Sequence, residues 1–307
     1  MNMKPEATPH SDFVCGAVAV LGKPNVGKST FLNSALGQKL AIVSPKPQTT
    51  RGAMAGIFQD AGSQIVFYDT PGIHEPKNKL AHYMISVVEE VLKGSDAALF
   101  LIDAQEGIKD EDRLVAKWLQ EFKKPVWVIL NKADLVSEET LSLLTGKVAQ
   151  ELGSWLTFNV SALNNEGVTK VIEEIKGSLP HQPPLFSQDE LTDKTMREIA
   201  AELVREQCFL QLKLEVPFGV AVQIEKYEER EKPEPVLIQA TIYVEKDSQK
   251  GIIIGAKGAQ LKAIGSAARQ EIEKLLDQKV YLELWVKVLK NWRKDENFMN
   301  RLGYIQP

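Results

Sequence analysis

The sequence predicts an α/β domain with a mostly parallel sheet and helices on both faces, followed by a smaller α+β unit. Two observations carry this. From residue 13 to about 180, short apolar runs alternate with segments of helical periodicity, the pattern of strands buried on both faces. After "PHQPPLFSQDELTD" at 180–193, with its three prolines, the grammar changes to strands of the half-exposed, alternating kind. A chain of 307 residues, 44% of them hydrophobic, is long enough for two such cores.

In order, "AVAVL" (17–21) is a strand that enters glycine and then the helix "KSTFLNSALG", closed by Gly37. "IVFYDT" is a strand, "KLAHYMISVVEEVLKG" a one-faced helix and "AALFLIDA" a buried strand. "EDRLVAKWLQEF" is helical, "PVWVILNKAD" a strand with a polar end, and "FNVSAL" the last strand before the helix "GVTKVIEEIKGSL". These boundaries give residues 1–12 as a tail, 13–180 as the first domain, 181–192 as a linker and 193–307 as the second domain. Within the second, "TMREIAAELVREQCFLQL" is helical, "VAVQIEKYEER" and "VLIQATIYVEK" are strands, a helix runs from about 258 to 277, and "VYLELWVKVLK" alternates again.

Composition excludes several classes. A net charge of −4 is not that of a uniformly basic nucleic-acid coat, so any such role must rest on local clusters. Residues 246–269 carry five basic residues against one acidic, and 285–301 five against two. Either stretch is a ligand surface or a solvated helix face. Cys15 and Cys208 lack metal or disulfide spacing and read as reduced core residues. The N-terminus has no apolar leader and no run reaches the roughly 18 residues of a membrane span, so a cytoplasmic location is expected.

"GKPNVGKST" (22–30) satisfies GxxxxGK[ST] between a strand and a helix, the context its mechanism requires of a P-loop NTPase. Gly22 and Gly27 let backbone N–H groups wrap phosphates, Lys28 neutralises β/γ oxygens, and Ser29 ligates Mg²⁺; Pro24, Asn25, Val26 and Thr30 complete the cradle. "YDTPG" ends the next strand, placing Asp69 to hold Mg²⁺ through water and the Gly72 backbone near a γ-phosphate. "NKAD" (131–134) and "SAL" (161–163) close two further strands. An aspartate accepts two parallel N–H bonds from guanine, a pair that adenine does not offer.

GxxxxGKS, DTPG, NKAD and SAL in this order resemble the signature of the translation-factor-related GTPases. The resemblance implies GTP and GDP as ligands, with Asn131 and Asp134 reading guanine, Lys132 along the base, and Ser161, Ala162 and Leu163 closing over it. "SPKPQTTRG" (44–52) is a loop, and by analogy with the TTR pattern of the Era and tRNA-modification GTPases Thr50, or else Thr49, is the switch threonine that binds Mg²⁺ with GTP. Ile73 stands where Ras-like enzymes carry a catalytic glutamine, so no side-chain base is named. Related GTPases with an apolar residue there and an asparagine matching Asn25 use K⁺ as a fixed positive charge; otherwise Asn25 is a structural loop residue. His74 reads as an exposed loop histidine rather than a base.

A second glycine-rich loop, "GAKG" (255–258), lies before the amphipathic helix "AQLKAIGSAARQEIEKLL", with Lys257, Lys262 and Arg269 outward. In context this is the KH arrangement, in which Gly255, Ala256, Lys257 and Gly258 grip an RNA backbone; alone it is also a plain helix N-terminal turn. Two strands before the loop and one after the helix fit a type-II KH domain. "KGIIIGAKGAQLKAIGSAAR" with "LELWVKVLKNWR" is similar to the Era GTPase family over residues 13–303. That likeness implies binding of the 3′ end of 16S ribosomal RNA, assistance in assembly and maturation of the 30S ribosomal subunit, peripheral membrane association, and a monomer. Lys290, Trp292, Arg293 and Lys294 form an aromatic among cations, read as an RNA contact or as an amphipathic cap on the sheet. Competing readings are an RNA-modification GTPase, which would want a further catalytic domain or a reactive cysteine, and a membrane-surface binder that holds GTP without hydrolysis.

Overall fold

The computed structural model describes residues 13–304 except 45, 47–48 and 74–77; the expected tail 1–12 and His74 lie outside the described residues. The chain divides into two compact units. Unit 1 takes residues up to 39, 53–70 and 89–193; unit 2 takes 40–52, 71–88 and the chain from Lys194 onward. The expected boundary near 193 is therefore crossed by two segments from the first half.

Unit 1 is built on six strands: β1 (Val14–Leu21), β2 (Met54–Gln59), β3 (Ser63–Asp69), β4 (Ala97–Asp103), β5 (Val126–Asn131) and β6 (Leu156–Val160), in the order β2-β3-β1-β4-β5-β6. All neighbours are parallel except β2 and β3. β4 is buried at all seven positions, as a central parallel strand covered on both faces must be. The helices are α1 (Lys28–Leu36), α3 (Asp110–Glu121), α4 (Glu138–Glu151) and α5 (Val168–Lys176), while α2 (Lys79–Gly94) begins in unit 2 and ends in unit 1.

Residues 181–192, expected as a linker, are bonded to unit 1 together with Asp193, expected as the start of the second domain. Leu191 O accepts from Ile57 N at 2.9 Å and Asp193 Oδ1 from Ala55 N at 2.9 Å, both on β2. The buried Gln64 takes the backbone N–H of Leu185 and of Phe186 on Oε1, at 2.8 and 3.0 Å, and returns Nε2 to Phe186 O at 2.9 Å.

Unit 2 holds α6 (Met196–Gln211), β7 (Ala221–Glu228), β8 (Val236–Val244), α7 (Asp247–Ile254), α8 (Ala259–Leu276), β9 (Val280–Val288) and α9 (Glu296–Arg301). Its sheet runs β7-β8-β9, antiparallel then parallel. α6 and α8 close one face over Val204, Cys208, Ile242, Ile264 and Val286 at one end and Leu203, Ile238, Ile272 and Val280 at the other. Thr195 caps α6 by accepting from Glu198 N, and the Glu198 carboxylate answers on Thr195 N.

Candidate nucleotide site and candidate RNA groove

Unit 1 gathers its polar motifs at the carboxyl ends of β1, β3, β5 and β6, where parallel sheets place their ligands. β1 leads into the glycine loop and α1 starts at Lys28, so the loop amides face a helix N-terminus suited to phosphate. Gly27 has φ 97°, and a Cβ built on it would lie 2.2 Å from Asn131 Nδ2. Only glycine fits there. Ser29 Oγ donates to Asp69 Oδ2 at 2.6 Å, which joins the two expected magnesium contacts from α1 and β3.

Lys28 is 6% exposed, and its ammonium donates to Gly22 O at 3.0 Å and Lys23 O at 2.9 Å across the mouth of the loop. Burial pushes its pKa down to about 8, opposed by the Asp69 and Asp112 carboxylates. Val26 is fully buried; Asn25, at φ 65°, is exposed beside it.

The base end is organised by Asn131 at the last position of β5. Its Nδ2 donates to Val26 O at 2.7 Å and its Oδ1 accepts from Ala162 N at 3.0 Å, linking the glycine loop to the loop after β6. Lys132 takes a left-handed φ of 63° and its ammonium pairs with Asp103 at the end of β4. Asp134 is exposed, Ser161 and Ala162 are buried, and Leu163 is 82% exposed.

Sequence reasoning missed Asp103, which also accepts from Gln105 N at 2.9 Å. It missed as well the ion pair of Lys23 with Glu106 at 2.5 Å, next to Asp112 at 3.7 Å. An aspartate closing an apolar strand was the available signal for the first. Thr50 and Gly72 both fall in unit 2, and Ile73, 1% exposed, is packed in the core rather than turned to a reacting water.

In unit 2 the GxxG turn joins α7 to α8. Gly255, Lys257 and Gly258 all have positive φ, at 69°, 51° and 80°. A Cβ at Gly255 would meet Gln260 Cβ at 2.7 Å, whereas one at Gly258 meets nothing within 4 Å. Ala256, Lys257 and Lys262 are exposed. Beside the turn lies a groove of about 350 Å³, lined by Gly258, Leu261, Lys262, Gly265, Arg269 and the β9 leucines 282 and 284.

The tail expectation requires a correction. Trp292 is 0% exposed, donates Nε1–H to Gly219 O at 2.9 Å and stacks on Tyr304 at 5.9 Å. Its ring is used inside the fold, so it offers no face to a base. Arg293 pairs with Glu245, while Lys290 and Lys294 are exposed. Among the described residues there is no cluster of three or more metal-ligating His, Cys, Asp or Glu, and no helix is long and apolar enough to cross a membrane.

Comparison with known proteins decides the family. The family model described as 50S ribosome-binding GTPase matches residues 17–132 and the KH domain model matches residues 215–293. The chain is 47% identical over 289 residues to GTPase Era of Ruminiclostridium cellulolyticum, covering 94% of this chain and 97% of that one. It is 44% identical over 290 residues to GTPase Era of Alkaliphilus metalliredigens, covering 94% and 98%.

The chain belongs to the GTPase Era family.

Two Era crystal structures superpose with TM-scores of 0.92 at 38% identity, covering 96% of this chain and 100% of theirs. One is Era in complex with MgGDPNP and nucleotides 1506–1542 of 16S ribosomal RNA; the other is a single-residue variant of Aquifex aeolicus Era bound to GDP·AlF4⁻. As an Era-family member the protein is a GTPase that binds guanine nucleotide in unit 1, and the fold expected from its sequence, a P-loop domain followed by a KH domain, is the fold observed.

Proposed function

We propose that this Era-family GTPase uses its nucleotide state to control RNA held in the KH groove, the RNA being the 3′ end of 16S ribosomal RNA. The switch serves assembly of the 30S subunit. The observation that carries the reading is the pairing, in one chain, of a glycine loop braced by Asn131 with a GxxG turn whose exposed lysines stand beside a groove of mixed leucine and basic lining. The Era–RNA complex supports it by relation.

Hydrolysis is assigned to these residues. The loop amides from Gly22 to Ser29 and the Lys28 ammonium hold the phosphates. Asn131 braces the glycine loop while Asp134 accepts the guanine N–H pair. Ser29, Thr50 and, through water, Asp69 would hold Mg²⁺, and the 2.6 Å contact between Ser29 and Asp69 supports this by bringing two hard oxygens together. When bound, the ion neutralises charge on the β- and γ-phosphates. Asn25 would hold K⁺ beside the same phosphates, in a catalytic set without a side-chain base. The protein works as a monomer in the cytoplasm, with peripheral contact to the membrane surface.

The test is GTP hydrolysis in potassium buffer with and without an RNA copying the 3′ end of 16S ribosomal RNA, beside Gly258→Asp. The space around Gly258 is open and its left-handed φ of 80° is a conformation that aspartate visits at modest strain, so the variant adds a negative charge where phosphates pass, and its melting temperature, read beside the rate, checks that it folds. RNA raises the wild-type rate and the variant loses that increment alone. An RNA that neither binds nor changes the rate overturns the RNA reading and leaves the GTPase.

A further inference from the structure

The segment 40–52, which follows α1, belongs to the compact unit built on the KH sheet. It is held there at four points. Val43 N donates to Glu206 Oε1 on α6 at 2.9 Å. The Lys46 ammonium donates to the carbonyls of Phe209 and Leu212, at the end of the same helix, where unpaired carbonyls favour a cation. Arg205, itself 1% exposed, donates to Thr49 O. Arg51 sends Nη1 to Val220 O at 2.7 Å and Nη2 to Phe218 O at 3.0 Å.

The Arg51 site is built with unusual care for a loop residue. The guanidinium is 4% exposed, and its carbon sits 5.4 Å from the Trp292 ring centroid and 5.7 Å from that of Tyr304. Trp292 is oriented by its own bond to Gly219, so one turn, 218–220, places both the carbonyls and the ring. Burying a cation is costly unless its surroundings answer it, and two carbonyls with two aromatic rings do so, helped by the charge of the Glu202 carboxylate. The segment after the DTPG motif converges on the same cluster: Leu80 and Met84 pack with Trp292, Met299 and Tyr304, and Tyr83 donates to Gly303 O at 3.2 Å.

We infer that the 218–220 turn and the Trp292–Tyr304 stack form a receptor for Arg51, and that Arg51 is the positioning residue through which nucleotide state reaches the RNA-binding unit. The inference rests on the proposed role of Thr50 as a magnesium contact. Thr50 precedes Arg51 directly, and one residue spans at most about 3.6 Å. A Thr50 drawn to a nucleotide by more than a few ångströms pulls Arg51 from its receptor, so seating one is thermodynamically linked to placing the other.

The experiment measures affinity for the 16S 3′-end RNA by fluorescence anisotropy, with the full chain loaded with GDP or with a non-hydrolysable GTP analogue. In wild type the two affinities differ. In Arg51→Ala, and in Tyr304→Leu, which empties the receptor from its other side, they converge to within about twofold while RNA is still bound. Arg51→Lys keeps the charge but loses the fork and the stacked plane, and falls between. Nucleotide dependence undiminished in both Arg51→Ala and Tyr304→Leu overturns the inference and leaves the proposed function standing. Equal wild-type affinities overturn the switch reading and the inference together.

Discussion

Asn131 and Val26 are joined by a 2.7 Å hydrogen bond from side-chain amide to backbone carbonyl, so the residue that opens the NKAD motif also braces the phosphate loop. Its other amide atom takes Ala162 N, and both bonds are buried. Asn131→Ala leaves Val26 O and Ala162 N unanswered, at a cost of about 1–3 kcal/mol for each group that water does not reach. Affinity for GDP should fall about tenfold to a hundredfold, read by titration with a fluorescent analogue, and the melting temperature should fall with it.

Asp134 stands exposed just after β5, its carboxylate available to a base edge. An asparagine there presents one donor in place of an acceptor, which mismatches the guanine N–H pair but suits the carbonyl at position 2 of xanthine. Asp134→Asn should lose about two orders of magnitude in GTP affinity, the scale of a mispaired buried polar contact, and should gain xanthosine triphosphate as a ligand. Competition binding with the two nucleotides checks both halves.

Lys28 carries a pH signature. In the unliganded site burial lowers its pKa to about 8, and phosphate oxygens brought against the ammonium raise it again. Above pH 8 nucleotide binding must therefore take up a proton. GDP affinity should decline as pH rises from 8 toward 10, and calorimetry in buffers of different ionisation enthalpy should show the uptake. Lys28→Met should bind far more weakly and lose this share of the pH dependence.

Asp112 gives the opposite case, a carboxylate under the phosphate loop. It is 0% exposed, one oxygen accepts Lys109 N at 2.9 Å, the other has no hydrogen-bond partner, and burial raises its pKa to about 6. Between pH 4 and 6 the folded chain holds a proton that the unfolded chain has released, so this residue subtracts stability as pH rises through that window. Asp112→Asn should remove that slope. The melting temperature of the variant relative to wild type should climb from pH 4 to 6 and level off above.

How legible all this was depended on the range of the interactions. The glycine loop, the three further strand-end motifs and the helix after GxxG are local patterns, and each stands where its residues indicate. β2 was missed because "MAGIFQ" has too little alternation to stand out, and it is a strand through pairing with β3. α7 carries no local helix signal, since three isoleucines in "GIII" favour strand; the tertiary contacts of Ile253 override that preference. The docking of 40–52 left no local trace at all. Arg51 finds its carbonyls 167 and 169 residues away, and the buried Trp292 looks in sequence like any tryptophan beside cations.

The bonds that residues 191–193 make to β2 have a consequence for solubility. β2 is the last strand at its end of the six-stranded sheet, and an open strand edge is a template for pairing with another molecule. Leu191 O and the Asp193 carboxylate occupy the outward N–H groups of Ile57 and Ala55, so the chain seals its own margin with a short stretch that combines a backbone carbonyl and a charged side chain. A fragment cut at residue 180 to isolate unit 1 would expose that margin, and edge-to-edge self-association would be its characteristic failure.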